Sequence, residues 1–228
     1  EAGSCDGPLT ITCTIYAQDR SVRGAYLDMA YGFFNGTSLF LKAEGKQAAR
    51  LEIEIYRPMV PHAQQWRIAT ALTRVADLPN GFGRYVAESY EALADSPVLM
   101  GELQETTVMA FGIPHAIAVV GAGFEVDMNR LGADVKRLCE TQMAFFDHPY
   151  PTSHYVFLII ARSEGLSGLE HCYSSALQCG RDNLPRRNHP ANTLYVALLR
   201  LISHEYFHLW HVKRIQPQAV AESDLRSE

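Results

Sequence analysis

Near residue 122 the hydrophobic pattern of this chain changes period, and that change limits the folds it can adopt. Before it, apolar and polar residues mix in short β-rich runs: "LTITCTIYA", "SLFLKA", "ARLEIEIYR" and "QWRIATAL", then "MGELQETTVMAFG" and "PHAIAVVGAG" to about Gly123. Turn signals separate the runs at 35–37, 44–45, 57–58 and 79–81. After it, Leu131, Val135, Leu138 and Phe145 fall at helical spacing behind Asp127, a good capping residue. Pro149 and Pro151 stop that helix. "HYVFLIIA" (154–161) reads as a buried strand and "GLEHCYS" (168–174) as a short edge strand. A long helix from about Ala191, capped by Asn192 or Thr193, runs through "LYVALLRLISHEYFHLW". The expected class is α+β, with antiparallel β structure over residues 1–122 and an α/β unit over 123–228.

Composition excludes several functions. The formal net charge is -5, and no basic cluster larger than a pair such as Lys213-Arg214 or Arg186-Arg187 occurs, which argues against a nucleic-acid partner. No apolar run reaches the ~18–20 residues of a membrane span. The first ten residues lack the pattern of a signal peptide. Five cysteines at irregular spacing read as free thiols rather than a disulfide framework or a zinc ribbon. The expectation is a soluble protein of bacterial type, with the compartment open between cytoplasm and periplasm.

The chemistry sits near the end, in "HEYFH" (204–208). On a helix, residues i and i+4 share a face, so His204 and His208 can aim imidazole nitrogens at one ion. Zinc accepts neutral imidazole, keeps an open position for water in catalytic sites, and lowers that water's pKa to about 7. Glu205 lies about 100° around the helix from His204, within reach of the water without ligating the metal. Helix position, charge type and spacing together point to Zn²⁺ hydrolysis, with His204 and His208 as ligands and Glu205 as general base. A third protein ligand is required. Glu228 falls at a thermolysin-like distance and Glu222 nearby, but neither sits in an apolar frame suited to a ligand helix.

"HEYFHLWHVKRIQP" resembles the active-site helix of the glycyl aminopeptidase family, gluzincin metallopeptidases with a β domain, a thermolysin-like catalytic domain and a PDZ domain. Further stretches match in the family's order: "SVRGAYLD" (21–28), "FFNGTSLFL" (33–41), "DSPVLMGEL" (95–103) and "GLEH" (168–171). The resemblance implies that residues 123–228 are the first part of the catalytic domain and that this is a central fragment. It places the third ligand, a glutamate on a following helix, beyond residue 228, so zinc would be held weakly here. It also implies that Glu170 holds a substrate's free amine, with Gly168 in the same substrate-binding stretch. The implied activity is release of N-terminal residues, glycine or alanine by the family's preference, from peptides with a free N-terminus. Two alternatives stay open: a non-catalytic peptide-binding scaffold with a degenerate metal site, and a zinc endopeptidase.

Smaller features have plainer readings. His211 stands where the family has asparagine, and is read with Lys213 and Arg214 as serving the helix end. "VVGAGFE" (119–125) is read as a turn between domains, "NGT" at Asn35 as a hairpin turn, and Arg23 with Asp28 as structural.

Overall fold

The structure is a computed structural model that describes residues 7–45, 49–75 and 79–215. Its strands are β1 (Ala25–Leu27), β2 (Tyr31–Phe34), β3 (Leu51–Ile55), β4 (Arg67–Thr70), β5 (Thr73–Arg74), β6 (Gly83–Ala87), β7 (Val98–Gly101), β8 (Gln104–Ala110), β9 (Ile113–Val120), β10 (Tyr155–Arg162), β11 (Leu166–Glu170) and β12 (Ser174–Gly180). Helices α1 (Tyr90–Ala94), α2 (Met128–Phe146) and α3 (Thr193–Phe207) complete the regular structure.

Three sheets and a helical layer are stacked. A three-stranded sheet, β3-β6-β5, packs on a four-stranded one, β1-β2-β7-β4, and both are antiparallel. Trp66, Tyr85, Phe82 and Phe34 belong to the core between them. The four-stranded sheet turns its other face to a five-stranded sheet of order β11-β12-β10-β9-β8. Helices α2 and α3 cover the far side of that sheet.

Strand β10 shows why "HYVFLIIA" is almost wholly apolar. Tyr155, Phe157, Ile159 and Ala161 point to the helices, while Val156, Leu158 and Ile160 point to the four-stranded sheet. Side chains alternate faces along a strand, so a strand covered on both sides must be apolar at every position. It is parallel to both neighbours, β9 and β12. Helix α2 buries Leu131, Val135, Cys139 and Met143, one residue per turn, and Asp127 caps it by accepting from the Arg130 N–H at 3.1 Å. Helix α3 buries Tyr195, Leu198, Ile202 and Tyr206 and is capped by Asn192.

Several expectations need correction. The five-stranded sheet crosses the expected division at residue 122, because β8 and β9 pair as a hairpin whose inner strand adds directly to β10. Gly121 and Gly123, both at positive φ, therefore turn the chain from β9 toward α2 within this unit. A Cβ at Gly121 would lie 2.5 Å from the Ala161 carbonyl oxygen, so the turn needs glycine for space as well as for φ. "LTITCTIYA" alternates but forms no strand: Leu9, Ile11 and Ile15 are exposed, and a strand exists only with a hydrogen-bonded neighbour. "NGT" is a single 3₁₀ turn capped by a buried Asn35. Among the described residues the cysteines at 13, 139, 172 and 179 are free. No described helix is long and apolar enough to cross a membrane.

Candidate active site

Helix α3 lies across β11, and the contact is close. A Cβ at Gly168 would sit 2.2 Å from Oε1 of Glu205, 2.5 Å from its Cδ and 2.6 Å from its Cγ. Glycine is therefore what lets the Glu205 side chain lie flat on the strand. Burial raises the Glu205 pKa above the ordinary carboxylate value, and Glu170 pushes it the same way; His204, His208 and Arg23 pull it down. Glu205 alone of the three motif side chains is buried, since His204 is exposed and His208 half-buried.

The two imidazoles converge. Nε2 of His204 and Nε2 of His208 are 3.2 Å apart, with the rings nearly perpendicular. Two nitrogens bound at the usual zinc distance with a tetrahedral angle between them would be about 3.3 Å apart. His208 donates its Nδ1–H to the His211 carbonyl at 3.3 Å, which leaves Nε2 with its lone pair free for a cation. Those facts fit a divalent metal of zinc type. Ligand atoms of Glu170, Glu205 and His208 also lie within 4.8 Å of one another. Glu170, the last residue of β11, is thus brought from the edge strand to the metal motif.

The helix ends earlier than its apolar pattern suggests. Regular turns stop at Phe207, His208 is the cap, and the Leu209 and Trp210 N–H groups reach back only three residues. Leu209 and Trp210 remain buried and anchor this tighter turn. His211 meets His208 Nδ1 through its backbone carbonyl, while its exposed ring stacks against Phe207. Lys213 and Arg214 do not serve the helix end with their side chains: Lys213 reaches Asp95, and Arg214 donates to the Pro151 carbonyl at 2.8 Å. Glu222 and Glu228 lie outside the described residues.

Comparison with known proteins now has geometry to match. The model of the Peptidase M61 N-terminal domain matches residues 1–102, and that of the M61 glycyl aminopeptidase matches residues 197–228. The chain belongs to the M61 glycyl aminopeptidase family. Its N-terminal match ends between β7 and β8, where the four-stranded sheet gives way to the five-stranded one. Among solved structures, an aminopeptidase N family protein from Idiomarina loihiensis superposes with a TM-score of 0.86 at 39% identity, covering 93% of this chain. The chain spans 36% of that protein's length. No curated protein sequence matches.

The structure also brings Asp95 and Lys213, from the two matched ends, to His171 and Cys172 in the stretch between, an arrangement that sequence reasoning passed over. Asp95, the C-cap of α1, accepts from His171 Nδ1 at 3.0 Å, from the Cys172 N–H at 2.7 Å and from Lys213 Nζ at 3.1 Å. Burial works to raise its pKa, but the His171 hydrogen bond and charge, Lys213 and the Cys172 N–H outweigh it and hold the carboxyl well below the usual range. Arg23 is exposed and is near enough to Glu205 to act on its charge, while Asp28 serves its own turn by accepting from the Ala30 and Tyr31 N–H groups.

Proposed function

We propose that this chain supplies the metal-binding helix and the amine-holding strand of a zinc aminopeptidase. The observation that carries the reading is the meeting of Glu170, Glu205 and His208 within 4.8 Å at the end of an edge strand. His204 and His208 would hold the ion. When bound, zinc supplies a Lewis acid that polarises a carbonyl and acidifies water. Glu205, made more basic by burial, takes a proton from the attacking water and delivers it to the departing amine. Glu170 pairs with the ammonium of a free N-terminus, which fixes the first peptide bond beside Glu205. The open edge of β11 offers backbone hydrogen bonds to an extended peptide. Gly168, on that strand, keeps room for Glu205 beneath the substrate. A small first residue, glycine or alanine, follows from the family's name and preference alone.

Hydrolysis of glycine and alanine anilides beside an N-blocked peptide tests this in the full-length enzyme. An aminopeptidase cleaves only the free-amine substrates, and Glu170→Ala removes that preference. Cleavage of the blocked peptide would indicate an endopeptidase, and cleavage of neither a binding scaffold.

A further inference from the structure

We propose that Asp95, contributed by the β-rich N-terminal part, is a positioning residue that locks the amine-holding strand end to the turn carrying His208. The inference rests on the aminopeptidase reading and extends it to a part of the chain that carries no reacting group.

Asp95 grips both sides of the site: its Oδ1 accepts from His171 and Lys213, and its Oδ2 from the Cys172 N–H. On one side, it holds His171 and Cys172, the two residues that directly follow Glu170. His171 is buried, and its Nε2 has no hydrogen-bond partner among the described residues, so the bond to Asp95 is what anchors the ring. A backbone bond from the His171 N–H to the Ser174 carbonyl, 2.9 Å, closes the same turn. On the other side, Lys213 gives Asp95 its ammonium and gives the His208 carbonyl its backbone N–H at 3.2 Å. One carboxylate thus ties the residue after Glu170 to the residue that closes the turn at His208.

The carboxylate itself is held firmly. The Asp95 N–H is bonded to the end of α1, Ser96 Oγ donates to the Ala92 carbonyl at 2.7 Å, and the chain then enters β7, buried at all four positions. A charged acceptor with a cationic partner and a backbone N–H makes strong, short, directional bonds. Glu170 must meet an ammonium while the scissile carbonyl meets the metal motif, so the spacing between the two sides decides whether a bound substrate is productive. Misplacement by about 1 Å costs on the order of 10²-fold.

The test uses Asp95→Ala, Asp95→Asn and Lys213→Met in the full-length zinc-loaded enzyme, with amide hydrogen exchange measured alongside kinetics on glycine anilide. Asp95→Ala should raise KM and lower kcat/KM by about 10²-fold at unchanged zinc content. Asp95→Asn, which keeps an acceptor for Cys172, should fall between it and wild type. Amides of residues 168–173 should exchange faster while those of β10 do not. Lys213→Met keeps the His171 and Cys172 bonds, and its loss should not add to that of Asp95→Asn. A merely structural aspartate would lower the active fraction at wild-type KM and loosen β7 and β10 together; that result, or wild-type exchange at 168–173, overturns the proposal. If Asp95→Ala does not fold, Asp95→Asn and Lys213→Met carry the same comparison. Should wild-type enzyme cleave no free-amine substrate, the aminopeptidase reading fails, and the exchange data still decide whether Asp95 holds the strand end.

Discussion

Replacing Gly168 by alanine tests how Glu205 is held. The added Cβ would lie 2.2 Å from Oε1 and 2.6 Å from Cγ of Glu205, where ordinary contact begins at 3.4 Å. Since Cγ is also in conflict, rotating the carboxylate does not relieve the clash; the side chain must withdraw by roughly 1 Å, and a displacement of that size costs about 10²-fold in rate. Gly168 is not at positive φ, so the alanine backbone itself is unstrained and the effect is purely steric. Overpacking a buried contact costs about 1–3 kcal/mol, which the fold should survive. The assay is steady-state hydrolysis of glycine anilide by the full-length enzyme, with zinc content and a thermal melt measured on the same sample. The expected result is a kcat about 10²-fold down with zinc retained. Activity within a few-fold of wild type would mean that Glu205 does not work from its place against Gly168.

Other substitutions separate the roles further. Glu205→Gln keeps the shape and removes the base, so kcat should fall by about 10²- to 10⁴-fold with zinc still bound. Glu170→Ala should raise KM for free-amine substrates and remove their advantage over a blocked peptide, measured with both substrates side by side. Asp127→Ala removes the α2 cap and should cost about 1 kcal/mol in denaturant unfolding without touching KM. Asp95 has a folded pKa below its ordinary 3.8, so its stabilising contribution is complete above that value and is lost as pH falls toward the folded pKa. Asp95→Asn should therefore flatten the acid limb of the stability curve, read by urea titration from neutral pH downward.

What could be read from the sequence followed the range of the interaction. Helix α2 and its Asp127 cap were legible because apolar spacing and capping act within a few residues. His204, Glu205 and His208 were legible for the same reason. Strands β2 ("YGFF") and β7 ("VLMG") were not, because four residues buried on both faces show no alternation. "LTITCTIYA" erred the other way: its alternation is real, but pairing depends on a distant partner. β8 and β9 look like the strands before them, and only the pairing of β9 with β10 and of β8 with β9 places them in the later sheet. Asp95 had no local signal, as its partners lie 76 and 118 residues away.

Zinc binding here requires the convergence of His204 and His208. The direct measurement is zinc stoichiometry of the purified full-length enzyme and of its His204→Ala and His208→Ala variants, after dialysis against a weak chelator. One zinc per chain in the wild type, lost in both variants while each remains folded, is the predicted result. Zinc retained by either variant at the wild-type level, or none in active wild-type enzyme, would contradict it.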